Sequence, residues 1–408
     1  MRVTTDICCG SGILHASGPA LVEVEVIAFS KSPRYVFLEM GPDDAAHKPH
    51  IVLLPDSQFL GGGFDKIGDA TIWFRRLENG CDEQSVPWRR VDKSIVTYSD
   101  QSISFELDVP AGVRVQVSTE PPRPYPETVL MLESIVKHHP DIAQLHVLGR
   151  SIEGRPIFLL RVTDNVRLKG APGCEDCPVL LFTAGEHATE FAGEEVTRGM
   201  LQAALASDGQ GRLRRRSCVM DFVLTCNPDG NVNGWHQYNA TDWKNHDYAP
   251  GVDRSWHHEF GSYLSGTAAC VSPETRAVAD WITTTSPRFV HTAHSWESKG
   301  DHMGVYRSSA DESDVELVRV MASLDEAAAS AAAAHGINLV FRPLGGMSKG
   351  HLPHYLVVEK GIPSCSVEAH PAHDRAALAS FGADLFAGWV NVVLASLGRN
   401  KSQPMVGS

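Results

Sequence analysis

Hydrophobic and polar positions alternate in four short segments of the first part of the chain: ALVEVEVIAF (20–29), ATIWFRRL (70–77), SISFELDV (102–109) and GVRVQVST (112–119). A period of two, interrupted by clusters of Gly, Pro and Asp, predicts half-buried strands. An antiparallel β-sandwich or small barrel is therefore expected over residues 1–119. EPPRPYPE (120–127) is too rich in proline to continue a central strand and reads as a linker. Beyond it the pattern changes. ETVLMLESIVKHH (127–139) and PETRAVADWITT (273–284) have helical spacing, whereas LHVLG, IFLLRVT, VLLFTA and DFVLTC are short apolar runs of strand length. Helices alternating with apolar strands predict an α/β domain over 128–398, with a parallel or mixed sheet covered on both faces. The alanine-rich DEAAASAAAAHG (325–336) reads as a strong helix former, and the tail 399–408 as a flexible end.

Length and charge narrow the partners. A chain of 408 residues is long enough for one large domain and a smaller one, and its formal net charge of −13 opposes attraction to phosphate backbones or anionic membranes. No nucleic acid or membrane partner is expected. GRLRRRS (211–217) is a local basic exception and reads as a solvated loop or helix end rather than an anion site. The start, MRVTTDICCGSG, has no apolar core of a signal peptide, and no segment offers about 18 uninterrupted apolar residues. A soluble, cytoplasmic protein is the expectation. Nine cysteines in scattered apolar contexts suggest reduced thiols, and CEDC (174–177), with no second pair nearby, reads as a plain loop.

The candidate chemistry begins at TAGEHATEF (183–191), where an apolar strand gives way to a helix and places His187 and Glu190 three residues apart. Open α/β sheets bind ligands outside the carboxyl ends of their strands. A catalytic zinc takes histidine nitrogens and carboxylate oxygens from three protein groups and leaves a position for water. PRFVHTAHSWES (287–298) offers a further ligand at a strand end, His294, with His291 as a less well placed alternative. GIPSCSVEAHPAHD (361–374) ends another strand at Glu368. Three groups for a metal and one free carboxylate to accept a proton are what metal-assisted hydrolysis needs.

These segments, in this order, resemble the zinc metallocarboxypeptidase family, and within it the branch related to cytosolic carboxypeptidases, which carries a small N-terminal β domain. The resemblance runs from about 120 to 395 and rests on GRSIEGRPIFLLRVTD, GEHATE, TCNPDGNVNGW, GVDRSW, SPETRAVADWI, TAHSW and SCSVEAH. It implies a mixed eight-stranded sheet with helices on both faces, of the metallocarboxypeptidase or phosphorylase/hydrolase-like kind. It also implies one zinc per chain on His187, Glu190 and His294, with Glu368 as general base. Arg254 falls where the family grips the substrate's terminal carboxylate, and Asp253 replaces the asparagine that normally precedes it. The family's oxyanion arginine has no counterpart: Gln237 is closest to its place, with His236 and Lys244 as possible substitutes. Tyr355 and Lys349 are candidates near the scissile bond. The implied activity is removal of a C-terminal residue from a peptide. The alternatives are hydrolysis of N-acyl amino acids and, on a different plan, non-catalytic peptide binding on a peptidase fold.

Overall fold

The computed structural model describes residues 1–25, 35–54, 70–99, 102–164, 177–236, 272–295, 302–343 and 351–400. Arg254, Asp253, Gln237, Lys244 and Lys349 lie outside these residues, as do Cys174 of the CEDC segment and the tail 401–408.

The N-terminal part forms strands β1 (Val3–Thr4), β2 (Ile13–Ser17), β3 (Leu21–Glu25), β4 (Phe37–Met40), β5 (His50–Leu54), β6 (Trp73–Leu77), β7 (Arg89–Arg90), β8 (Thr97–Ser99), β9 (Ser102–Glu106) and β10 (Arg114–Ser118). They make two five-stranded sheets, ordered β1-β4-β10-β6-β7 and β2-β3-β5-β9-β8. Alternate side chains of the second sheet, among them Val22, Val24, Ile51, Leu53 and Phe105, meet Leu38, Met40, Val115 and Val117 of the first in one apolar core. The sandwich is not purely antiparallel. Strands β3 and β5 pair in parallel, with Leu21 opposite His50, because β4, which lies between them in sequence, belongs to the other sheet. Alternation of side chains fixes the buried face of a strand and says nothing about its direction.

The proline-rich segment is packed rather than tethering. Glu120, Pro121 and Pro122 are buried, and helix α1 (Tyr125–His138) begins within the segment, with proline in its first turn where no amide hydrogen is needed. There follow β11 (Ala143–Arg150), β12 (Pro156–Val162), β13 (Val179–Ala184), α2 (Phe191–Leu205), α3 (Gly209–Ser217), β14 (Val219–Val223), α4 (Pro228–Asn233), α5 (Pro273–Thr285), β15 (Phe289–Ser295), β16 (Met303–Arg307), α6 (Val315–Ala334), β17 (Leu339–Pro343), α7 (Leu352–His354), which runs into a π-helical turn Tyr355–Glu359, then β18 (Ser364–Ala369) and α8 (Arg375–Asn400). The sheet order is β11-β12-β14-β13-β15-β18-β16-β17. Its centre, β14-β13-β15-β18, is parallel, and β12 and β16 flank it antiparallel.

Both faces of this sheet are covered. Phe182, Phe222 and Phe289 meet α2, α6 and α8 on one face; Leu181, Val223 and Val290 meet α5, Leu352 and Leu356 on the other. Helix α8 is apolar and long enough, by composition, to cross a membrane. Here Phe381, Leu385, Phe386 and Trp389 bury it in the core instead. It lies so close to α2 that a Cβ on Gly199 would strike the backbone of Ala379, and one on Gly382 the backbone of Val196.

The basic run forms α3, capped by Asp208, with arginines in its last turn where they complement the helix dipole. Arg215 is buried and bonds to Asp164 and to the carbonyls of Ala204 and Ala206. The seven described cysteines are free thiols. Two of the motifs meet as a clamp: the buried carboxylate of Asp229 accepts from Ser151 Oγ (2.7 Å), the Glu153 amide (2.8 Å) and Arg155 (2.7 Å).

Candidate active site

Strand β13 ends at Ala184, and Gly185 turns the chain with a φ of 67°, a conformation that costs a residue with a Cβ. The turn delivers Glu186, His187 and Glu190 to the carboxyl end of the parallel strands, with Glu190 immediately before the first residue of α2. His187 Nδ1 lies 3.0 Å from Glu190 Oε1, and His294 Nδ1, from the end of β15, lies 2.8 Å from Glu190 Oε2. The two rings meet edge to face at 4.9 Å. One carboxylate thus has an imidazole nitrogen on each oxygen. Glu186 holds the far side of His294, with Oε2 at 3.3 Å from Nε2, and is itself held by Thr183 Oγ1 at 2.8 Å. A carboxylate on the second ring nitrogen fixes which nitrogen faces a metal.

Glu368 comes from the adjacent strand. In the parallel pairing of β15 with β18, His294 stands opposite Glu368, so both side chains leave the same face of the sheet at the same height. Across β18's other edge its neighbour is Gly304. Glu368 is half-buried, and His187, Glu190 and His294 are buried.

Burial and charge act in opposite directions at Glu190 and at His294. Burial would raise the Glu190 carboxyl, but the charges and hydrogen bonds of His187 and His294 hold it well below the usual carboxylate range. Burial would lower His294, but hydrogen bonds to Glu186 and Glu190, with the charges of Glu190 and Glu368, hold it well above the usual histidine value.

His236, considered from the sequence only as a stand-in for an oxyanion arginine, also reaches the cluster. Its Nε2 is 3.4 Å from Glu190 Oε1, Thr189 Oγ1 meets its Nδ1 at 2.8 Å, and its carbonyl accepts the Ala188 amide. Ligand atoms of His187, Glu190 and His236 lie within 4.8 Å of one another. Two imidazoles and a carboxylate, buried and converging, are a donor set that suits zinc.

Two sequence candidates are placed elsewhere. Tyr355 packs beside Leu352 and Leu356, and shares a surface with Val179, Arg288 and Pro363, at the amino ends of the parallel strands. It is at the wrong end of the sheet to meet a substrate bound at the cluster, because β17 finishes on the side where β18 begins and Tyr355 sits on that connection. His291 points into the opposite layer. Its ring lies 5.2 Å from Trp389 and 6.2 Å from Phe182. Burial drives its pKa from 6.5 down to about 3, which the backbone of Cys365 only partly offsets.

His291 therefore makes a pH-dependent contribution to stability. The unfolded chain takes up this proton near pH 6.5 and the folded chain only near 3, so stability is full above 6.5 and falls as pH drops between the two. The slope for one proton approaches about 1.4 kcal/mol per pH unit, and since the unfolded histidine is only half-protonated at pH 6.5, about 2 kcal/mol is lost between pH 6.5 and 4.5. Denaturant unfolding at several pH values is expected to give a steeper acid loss in wild type than in His291→Leu; parallel curves would refute it.

Glu186, Ser295 and Gly193 were not singled out from the sequence. Ser295 donates its amide to Glu190 Oε2 (3.1 Å), and its hydroxyl accepts the Gly193 amide (3.0 Å). An acid ending an apolar strand beside a ligand histidine was the available signal for Glu186; the other two depend on tertiary contact.

The family model for zinc carboxypeptidase matches residues 129–346, more than half of the chain. The chain belongs to the zinc carboxypeptidase family. The matched residues include His187, Glu190 and His294 and end before Glu368. Among curated relatives, carboxypeptidase D of Drosophila melanogaster is 27% identical over 168 residues, 37% of this chain and 11% of that protein. The zinc carboxypeptidase of Saccharothrix mutabilis subsp. capreolus is 27% identical over 137 residues, 32% of this chain and 27% of that one. The similarity thus spans about a tenth to a quarter of these relatives' length. Two solved structures resemble nearly the whole zinc carboxypeptidase chain described here. The metallo-carboxypeptidase of Burkholderia cenocepacia superposes with a TM-score of 0.74 at 16% identity, covering 98% of this chain and 99% of that one. The metallo-carboxypeptidase of Pseudomonas aeruginosa, in complex with (2-guanidinoethylmercapto)succinic acid, gives 0.73 at 16% identity, covering 96% and 99%. At that identity the likeness is one of fold, and it includes the N-terminal sandwich.

Proposed function

We propose that this protein is a metallocarboxypeptidase that removes a C-terminal residue from a peptide, with zinc held by His187, Glu190 and His294 and with Glu368 as general base. The observation that carries this reading is the carboxylate of Glu190 with a histidine Nδ1 on each oxygen, beside Glu368 in register with His294. Zinc there would supply Lewis acidity to the scissile carbonyl and to the attacking water. Glu368 takes the proton from that water and returns it to the leaving amine. Glu186 keeps the His294 ring turned so that Nδ1 faces the site. Arg254 anchors the substrate carboxylate, a role that a planar guanidinium performs bidentately. His236, whose Nε2 lies 3.4 Å from Glu190 Oε1, takes the place of the missing oxyanion arginine.

A second reading assigns His236, not His294, as the third ligand, since its nitrogen is grouped with those of His187 and Glu190. Zinc analysis of His236→Ala and His294→Ala separates them. With His294 as the third ligand, zinc is expected to be lost only from His294→Ala.

Activity is tested on a peptide, on its C-terminal amide and on an N-acyl amino acid. The peptide is expected to be cleaved and the amide spared. Arg254→Ala should keep zinc and lose about 1.5–3 kcal/mol on the free carboxylate, the range for a hydrogen bond to a charged group. Preferred turnover of the N-acyl amino acid would favour the amidohydrolase alternative. Equal losses on peptide and amide would show that Arg254 does not read the carboxylate.

A further inference from the structure

We infer that Glu120, on the segment joining the N-terminal sandwich to the peptidase sheet, is a positioning residue of the metal centre, so that the sandwich takes part in building the site. The inference rests on the proposed zinc cluster and goes beyond it to a residue outside the matched family region.

Glu120 is buried. Its Oε1 accepts the Ala192 amide in the first turn of α2 and the hydroxyl of Ser295 (2.8 Å) at the end of β15. One oxygen thereby joins the two segments that carry the ligand candidates, His187 and Glu190 on one side and His294 on the other. The linkage continues inward, since Ser295 donates its amide to Glu190 Oε2 and accepts the Gly193 amide on its hydroxyl. The first amides of a helix have no partner within it. The Glu190 side chain makes no capping hydrogen bond of its own, being turned to the histidines, and Glu120 and Ser295 meet two of these amides from outside. A carboxylate at this position is also favoured by the helix dipole.

Glu120 is held in turn from both domains. Its amide donates to Ser118 Oγ (3.2 Å) on β10, and the carbonyls of Pro121 and Pro122 accept from Arg375 (2.9 and 2.7 Å) at the start of α8. Trp73 of the sandwich donates to the Pro371 carbonyl (3.2 Å), just after Glu368 and His370. Tyr35 packs edge to face on Phe191, the first residue of α2, at 5.6 Å. The spacing between α2 and β15 is thus set by a group delivered from the N-terminal side.

The test compares the full-length wild type with Glu120→Ala and Glu120→Gln, the latter keeping an acceptor oxygen of the same reach. Zinc affinity is read by chelator competition and ligand geometry by the visible spectrum of the cobalt-substituted protein. Glu120→Ala is expected to weaken zinc about 10- to 100-fold, the range for groups that orient ligands, and to alter the cobalt spectrum, with Glu120→Gln close to wild type. A Glu120→Ala that melts earlier but keeps wild-type affinity and spectrum overturns the inference and leaves the proposed cluster standing. A wild type that binds no zinc overturns both. If Glu120→Ala does not fold, Ser295→Ala carries the same comparison, and unchanged zinc affinity in that variant overturns the inference.

Discussion

Glu368→Gln is expected to retain its zinc and to lose hydrolysis by about 10²- to 10⁴-fold, the contribution typical of a positioned general base. The substitution keeps the shape of the side chain and its place on β18, opposite His294 on one edge and Gly304 on the other. It removes the negative charge and with it the capacity to take and return a proton. Because Glu368 is half-buried near the carboxyl end of β18 and makes neither of the two Glu190–histidine contacts, loss of its charge leaves the three candidate ligands with their mutual contacts. The measurement is kcat on a peptide with a free C-terminus, together with zinc content. A variant that keeps near wild-type turnover would mean that another group is the base. One that loses its zinc would mean that Glu368 belongs to the metal set.

What could be read in advance followed from periodicity and chain order. Apolar runs such as VLLFTA and DFVLTC became β13 and β14, and ligand candidates at the ends of such runs were necessarily brought to one edge, since a parallel sheet aligns its carboxyl ends. His187, Glu190 and His294 gather there for that reason. Direction and register were not legible: the parallel pairing of β3 with β5 depends on β4 lying in another sheet. Tyr355 could not be placed because a sequence gap does not say at which end of the sheet a connection runs. The proline-rich segment was read by composition as a tether, and that reading hid Glu120, whose role depends on contacts with residues about 70 and 175 positions away in the chain. His236 was in view only through the resemblance; its approach to Glu190 follows the fold of α4, which no local pattern discloses.

Gly193→Ala is expected to damage the site although it touches none of the candidate ligands' side chains. In an ordinary helix interior this change is favourable by about 1 kcal/mol, since alanine is the better helix former. Here the Cβ would lie 2.6–2.7 Å from the backbone atoms of His294, closer than real Cβ contacts come, and backbone cannot rotate aside as a side-chain tip can. Overpacking of this kind costs about 1–3 kcal/mol, which outweighs the helical gain. The relief available is for α2 and the end of β15 to move apart. That movement separates Glu190 from His294, now 2.8 Å apart, and stretches the Gly193–Ser295 hydrogen bond. A displacement of about 1 Å in a reacting constellation can cost about 10²-fold in rate, and misplaced ligands about 10- to 100-fold in metal affinity. The expected result is therefore a protein that melts earlier, binds zinc at least tenfold more weakly and turns over about a hundredfold more slowly. Gly199→Ala, where α2 meets Ala379 of α8, supplies the contrast: it should lower the melting temperature through a similar clash while zinc affinity in the folded protein changes far less. Equal zinc affinities in wild type and Gly193→Ala would show that β15 can yield without carrying His294 away, and that the glycine serves the helix packing alone.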